Sequence, residues 1–198
     1  SDILNFSPTL SKCSMTRQLI VSVIIPCRNE REFIGGCLDS IIANDYPKDK
    51  LEVLVVDGMS EDGSREIVHD YTRRHPFIRL FDNPKRIIPA AFNAGIGHST
   101  GKIIIIMSGH STYNNNYITA CVKSLAEYGA DNVGGVLTTV PGVDTAIAKS
   151  IALSLSHPFG AGNSYLRIGS YKPRWADTAG FGCYKREVFD RIGLYNED

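Results

Sequence analysis

The sequence predicts an α/β fold, an open, mostly parallel, doubly wound sheet with helices on both faces. Short β-branched runs alternate with segments of helical periodicity from residue 21 onward. The most apolar of those runs, Lys102 to Met107, suits a strand buried on both faces of a parallel sheet. Polar, glycine-containing clusters follow the strand candidates, where such sheets place their ligands.

Each element has its own justification. Residues 1–20 read as a loose arm ahead of a single domain over 21–198. Val21 to Pro26 is short, β-branched and closed by proline, and reads as a buried strand. From Glu30 to Ala43 the apolar residues Phe33, Ile34, Cys37, Leu38, Ile41 and Ile42 recur at helical spacing. Leu51 to Val56 is a second strand, Asp62 to His75 an amphipathic helix and Phe77 to Phe81 a third strand. Pro89 to Gly97 forms a short helix with proline where a missing N–H costs little. Asn116 to Tyr128 is helical, Val133 to Thr139 a strand, Asp144 to Ser156 helical, and Lys185 to Ile192 a last short helix. Between residues 157 and 183 the texture changes to Gly, Ser, Tyr and Arg without strong periodicity.

Composition narrows the function. With 198 residues and 43% hydrophobic content the chain can bury a core. Lys+Arg and Asp+Glu are both 21, a balance that argues against a nucleic-acid or anionic-membrane surface binder and leaves a local basic pocket open. No apolar run approaches the roughly 18 residues of a membrane span, and the first twenty residues lack the apolar core of a signal peptide. Five scattered cysteines without a Cys-x-x-Cys pair argue against a disulfide framework or a thiolate zinc site and suit a reducing, cytoplasmic setting.

Three polar clusters converge on one sheet edge: Pro26-Cys27-Arg28-Asn29-Glu30 after the first strand, Asp57 to Ser64 after the second, and Ser108-Gly109-His110-Ser111 after the fourth. A carboxylate at a strand end, as at Asp57, can accept the imide N–H of a uracil-like base or a ribose hydroxyl. Asp62 and Ser60 have two readings of equal weight, helix capping and ligand contact. A dinucleotide-binding fingerprint is absent after the first strand, which disfavours a dehydrogenase domain, and no Gly-Lys-Ser/Thr phosphate loop exists. Gly58-Met-Ser-Glu-Asp-Gly63 is one residue too long for a nucleophile elbow.

Val23-Ile-Ile-Pro-Cys-Arg-Asn-Glu30 and Val55-Val-Asp-Gly-Met-Ser-Glu-Asp-Gly-Ser64 resemble the two nucleotide-sugar signatures of inverting family 2 glycosyltransferases, enzymes of the GT-A fold. Asn83-Pro84 with Pro89-Ala-Ala-Phe-Asn-Ala-Gly-Ile96 resembles their next block. Pro158-Phe-Gly-Ala-Gly-Asn163 and Asp177-Thr-Ala-Gly-Phe-Gly-Cys-Tyr-Lys-Arg-Glu-Val-Phe189 look like the succinoglycan-type exopolysaccharide branch. The resemblance implies transfer of a hexose, with inversion, from a UDP-sugar to a saccharide or lipid-linked acceptor in exopolysaccharide or cell-envelope biosynthesis. It implies a cytoplasmic protein, with peripheral association at the inner face of the membrane. By the same resemblance Pro26, Arg28, Asn29, Glu30, Ser60 and Asp62 line the nucleotide-sugar pocket and Asp57 contacts uracil or ribose. Asn93 lies near the diphosphate, and Asp177 and Thr178 near sugar and acceptor.

This sequence departs from the family pattern in two places. Where relatives place Asp-x-Asp to hold a divalent cation, Ser108-Gly109-His110 stands here. One hard anionic ligand is lost, and an imidazole suits Mn²⁺ better than Mg²⁺. Ile192-Gly-Leu-Tyr-Asn-Glu197 resembles the stretch that precedes the family's catalytic acidic pair, which places the base beyond Asp198, with Asp177 a weaker candidate and Glu197-Asp198 weaker still. These departures leave open the alternative of a non-catalytic nucleotide-sugar binding module.

Overall fold

The computed structural model describes residues 19–162, 164–170, 172–176 and 179–198. In chain order these form β1 (Val21–Cys27), α1 (Ile34–Ile42), β2 (Leu51–Asp57), α2 (Ser64–Arg74), β3 (Ile78–Asp82), α3 (Ile88–His98), β4 (Ile103–Ile106) and α4 (Tyr117–Tyr128). There follow β5 (Asn132–Val133), α5 (Ala146–Ser156), α6 (Pro158–Ala161), α7 (Tyr165–Ile168), β6 (Cys183–Lys185) and α8 (Arg186–Ile192). The chain divides into two compact units, one of residues 1–133 with 183–198 and the other of residues 134–182.

The sheet belongs to the first unit and has the order β3-β2-β1-β4-β6-β5. The strands β1 to β4 are parallel, and β6 runs antiparallel to both β4 and β5. The strand period of two explains the layers. Val21, Val23 and Ile25 of β1 join Val53 and Val55 of β2 in a core that also contains Ile34, Leu38 and Ile41 of α1, Val68 of α2 and Ile118 of α4. Ile24, Val56, Ile104 and Ile106 point the other way, into a smaller core with Ala91 and Ile96 of α3 and Phe189 of α8. The doubly wound arrangement read from the sequence is therefore present, and β4 is buried along its length.

The sequence-based boundaries shift where polar groups intervene. The first helix begins at Ile34 instead of Glu30, because the Glu30 carbonyl accepts from both Phe33 N and Ile34 N at 2.9 Å and closes a turn ahead of it. The strand expected over Val133 to Thr139 stops after Val133. Gly134 follows, with a Cβ position 2.8 Å from the Gly180 carbonyl oxygen, an approach that only glycine tolerates. The antiparallel β6 has three residues, too few for a periodicity signal.

At the amino ends of the strands Glu52 acts as a clamp. Its Oε1 accepts from Ser22 Oγ at 2.6 Å and from the Thr100 and Gly101 backbone N–H groups, and its Oε2 accepts from Arg79 Nη2 at 2.7 Å. One carboxylate thus ties β1, β2, β3 and the turn into β4. Burial pushes the Glu52 pKa up, but the hydrogen bonds from Ser22 and Thr100 and the Arg79 charge outweigh it and hold the group below its ordinary value. A depressed folded pKa gives stability that is full above the unfolded value of about 4.3 and is lost as pH falls through the folded one. We predict that Glu52→Gln flattens the acid limb of a urea-unfolding stability profile below about pH 4.3, relative to wild type.

Gly95 in α3 lies against β1, and a Cβ there would sit 2.4 Å from Ile24 Cγ2, whereas one at Gly97 would meet nothing within 4 Å. Gly95→Ala should cost about 1–3 kcal/mol by overpacking. Gly97→Ala should be neutral or stabilise by roughly 0.5–1 kcal/mol through helix propensity. Equilibrium urea unfolding of both variants checks the contrast.

Candidate functional site

Register brings the strand ends to one level: Cys27 pairs with Asp57, and Asp57 with Asp82. The strand order reverses between β1 and β4, since the chain proceeds from β1 through β2 to β3 on one side and then crosses to β4 on the other. Open α/β sheets bind ligands at such a switch point, beyond the carboxyl ends of the strands.

Two loops at this edge are joined residue by residue. Successive backbone N–H groups of the β1 loop donate to side chains of the β2 loop: Asn29 N to Ser60 Oγ at 2.9 Å, Glu30 N to Ser64 Oγ at 2.8 Å and Arg31 N to Asp62 Oδ2 at 3.0 Å. Asn29 returns a bond by accepting from Glu61 N at 3.0 Å on Oδ1. Asn29 adopts φ 54, a left-handed conformation that asparagine tolerates better than most residues. Gly58 lies under the Arg28 side chain, and its N–H donates to the Cys27 carbonyl at 2.7 Å.

Asp57 is buried at 1% exposure where these loops meet. Its Oδ1 accepts from Ser60 Oγ, and its Oδ2 accepts from Ser60 N at 2.9 Å and Arg65 Nη1 at 2.6 Å. A carboxylate offers about four lone-pair positions, so one acceptor position on Oδ1 is left. Arg65 Nη2 continues to Asp82 Oδ1 at 2.8 Å, so one guanidinium holds the ends of β2 and β3 together. Asp62 also accepts from Ser64 N and Ser64 Oγ, and the Ser64 hydroxyl is the chief cause of its lowered pKa. Asp62 is not the N-cap of α2, a place taken by Gly63; from the residue before it, Asp62 satisfies the Ser64 N–H while joining the loops.

Across the switch point His110 Nδ1 meets Glu30 Oε1 at 3.0 Å. His110 is exposed, whereas Ser108 is 4% exposed, with its N–H donating to Tyr113 Oη at 2.7 Å and its carbonyl accepting from Cys37 Sγ at 3.3 Å. Gly109 packs against the Pro26 carbonyl and the Glu30 side chain. Among the described residues no group of three or more His, Cys, Asp or Glu converges to hold a metal ion. Glu30 and His110 are two donors, which fits an open site that takes its other ligands from elsewhere and does not fit a closed one. Burial pushes the Cys27 and Cys37 thiols up to about 12, so neither offers a thiolate at neutral pH.

Asn93 stands at a corner of the same edge. Its Nδ2 donates to Glu197 Oε1 at 2.7 Å and to the Tyr195 carbonyl at 2.8 Å, and Lys85 Nζ reaches Glu197 Oε2 at 2.6 Å. The Lys85 hydrogen bond, helped by that of Asn93, lowers the Glu197 pKa. Asp177 and Thr178 lie outside the described residues. The structure thus assembles Pro26, Arg28, Asn29, Glu30, Asp57, Ser60 and Asp62 into one edge, with His110 facing Glu30. Sequence reasoning missed Arg65, Asp82 and Lys85. Arg65 carried a signal: a cation in the first turn of a helix opposes the helix dipole and calls for a local anion.

The sequence profile described as Glycosyl transferase family 2 matches residues 22–193. The succinoglycan biosynthesis protein ExoA of Rhizobium meliloti is 30% identical over 177 residues, 88% of this chain and 52% of its own. A Methanococcus voltae protein named dolichyl N-acetyl-α-D-glucosaminyl phosphate 3-β-D-2,3-diacetamido-2,3-dideoxy-β-D-glucuronosyltransferase is 29% identical over 85% of this chain and 53% of its own. Among solved structures, the Pyrobaculum calidifontis mannosyltransferase PcManGT, in complex with GDP-Man and Mn²⁺, is 26% identical with a TM-score of 0.67, over 95% of this chain and 54% of that one. S. aureus TarS 1-349 in complex with UDP has a TM-score of 0.68 at 18% identity, over 89% of this chain and 50% of that one, a likeness of fold alone. The chain spans about half the length of the curated relatives it matches. With its strand-end loops, its sheet order and these matches, the chain has the GT-A fold and belongs to glycosyl transferase family 2.

Proposed function

We propose that this chain is the donor-binding domain of an inverting hexosyltransferase that uses a nucleotide-sugar, UDP-hexose being the best fit. The observation that carries the reading is Asp57, a buried carboxylate with one acceptor position left, set at the carboxyl edge of the sheet where the β1 and β2 loops are joined, one strand from the switch point. An imide N–H or a ribose hydroxyl is the kind of donor that completes it. The loops around it supply backbone and the Arg28 guanidinium for the nucleoside and its phosphates. Asn93 and Lys85 converge on an anion, the Glu197 carboxylate, which is chemistry that also suits a diphosphate oxygen. A saccharide or lipid-linked saccharide acceptor, in exopolysaccharide or cell-envelope assembly, is the reading that the similarity to ExoA supports.

In inverting transfer a base removes the proton of an acceptor hydroxyl, that oxygen attacks the anomeric carbon, and the diphosphate leaves with the bonding pair. Cationic groups must stabilise the leaving oxygens. Glu197, with its pKa held down by Lys85 and Asn93, is a weak proton acceptor and serves better as a positioning group. Glu30 and His110 would hold a divalent cation as two of its ligands. When bound, that cation supplies charge neutralisation to the leaving diphosphate.

Asp57→Asn keeps the shape of the site and should weaken UDP binding by about 1–3 kcal/mol, the range for hydrogen bonds to a charged group. Arg65→Ala should weaken it too, by freeing the Asp57 carboxylate to rotate. Isothermal titration with UDP reads both, with thermal unfolding to show that each variant folds. Unchanged affinity in both variants would remove Asp57 from the donor site.

Without nucleotide, divalent cations should bind weakly, because a single imidazole and a carboxylate cannot close a site. With UDP present Mn²⁺ should strengthen binding more than Mg²⁺, and His110→Ala should abolish the difference. Titrations of UDP with each metal test this. Tight Mg²⁺ binding to the protein alone would contradict it.

A further inference from the structure

Asp57 and Asp82 are register partners at the ends of β2 and β3, so the sheet sets two carboxylates side by side. Such a pair calls for a cation, and Arg65 in the first turn of α2 supplies it. Its Nη1 donates to Asp57 Oδ2 at 2.6 Å and its Nη2 to Asp82 Oδ1 at 2.8 Å. The planar guanidinium is thereby held from two strands in one orientation. Asp82 is exposed, whereas Asp57 is buried.

The consequence falls on Asp57. Its Oδ2 accepts from Arg65 and from Ser60 N at 2.9 Å, which fills both lone pairs of that oxygen. Its Oδ1 accepts from Ser60 Oγ and keeps one position. A carboxylate with both oxygens open takes two parallel N–H donors, and Asp57 takes one. Nucleobases differ in this respect. Guanine presents two neighbouring donors, N1–H and the exocyclic amine, which suit a bidentate carboxylate. Uracil presents one donor, the imide N3–H, flanked by two carbonyl acceptors. Against Asp57, guanine would set its second donor on an oxygen already filled, facing the N–H groups that fill it. An unpaired donor in a buried site is costly. Uracil meets no such conflict, since the group beside its N–H is a carbonyl.

Resting on the reading of Asp57 as the donor-site carboxylate, we infer that Arg65 determines base specificity: by occupying Asp57 Oδ2 it leaves an acceptor for one base donor and so selects uracil against guanine. Arg65 acts through Asp57. It is a positioning residue, and its mark is base preference rather than donor affinity as such.

The experiment is isothermal titration of the protein with UDP, GDP and N3-methyl-UDP, in which a methyl group replaces the imide proton. The wild-type chain should bind UDP about 10–100-fold more tightly than GDP, and N3-methyl-UDP should lose a similar factor. Arg65→Met removes the guanidinium at similar length. UDP binding should then weaken and GDP binding strengthen, so that the ratio of the two affinities falls about tenfold. A role in folding alone would weaken both nucleotides alike and leave the ratio in place. Asp82→Ala, at an exposed carboxylate, is the second variant. It keeps Asp57 and Arg65, frees the guanidinium from β3, and should lower the ratio in the same direction. GDP bound as tightly as UDP by the wild type, full affinity for N3-methyl-UDP, or an unchanged ratio in both variants overturns the inference. In each of those cases, UDP binding that still weakens in Asp57→Asn leaves the donor-site reading standing. Binding of neither UDP nor GDP overturns both.

Discussion

Once the sheet ladder stops at the end of β1, three consecutive N–H groups of its loop are met by side chains of the neighbouring loop, and the site is organised by these bonds. Asn29, Glu30 and Arg31 donate in turn to Ser60, Ser64 and Asp62, all from the loop after the neighbouring strand. The spacing of those acceptors, alternate residues over Ser60 to Ser64, follows from the need to serve three successive donors. Because the acceptors are side chains, the β2 loop keeps its own backbone free to turn at Gly63, φ 98, and start α2. The two loops are thereby tied into one hydrogen-bonded network, and Asp57 belongs to it through Ser60.

The sheet has two polar ends with different duties. At the amino ends Glu52 is surrounded by donors and serves the fold. At the carboxyl ends Asp57 has fewer partners, Ser60 and Arg65, so an acceptor position is left, and the neighbours are loops instead of strands. Both carboxylates have an arginine partner, Arg79 for the half-buried Glu52 and Arg65 for the buried Asp57. Burial with partners alone does not mark a functional group. What distinguishes Asp57 in the reading proposed above is its place at the loop-bearing carboxyl edge of the sheet.

Much of the fold was legible because strand and helix signals here are long and periodic. The runs around Val23, Val53 and Ile105 could only be buried strands, and their alternation with amphipathic helices left little choice of architecture. The loops after β1 and β2 were legible as a site because both are polar clusters at strand ends. What escaped was of shorter range or depended on partners distant in sequence. β6 is too short to show a period, and no local pattern announces its antiparallel pairing with β4 and β5. Arg65 takes its role from Asp57 and Asp82, which lie on either side of it and come from two different strands. The partnership of His110 with Glu30 spans eighty residues, and no local pattern announces it.

The sequence left two readings of Asp62 and Ser60 level, cap or ligand contact; the N-cap of α2 is Gly63, and both side chains instead join the two loops. Asp62 serves Ser64 at the start of α2 and Arg31 in the facing loop with different oxygens. Ser60 accepts from Asn29 while donating to Asp57. A group used in this way cannot be assigned by asking whether it is structural or functional, because its structural bonds are what place the binding groups. A substitution at either residue therefore acts on the position of Asn29 and Asp57 together, whether or not the side chain itself touches a nucleotide. That coupling explains why such a short stretch, Asp57 to Ser64, carries so much of the site: each polar side chain holds a strand-end backbone group and, through it, the opposite wall.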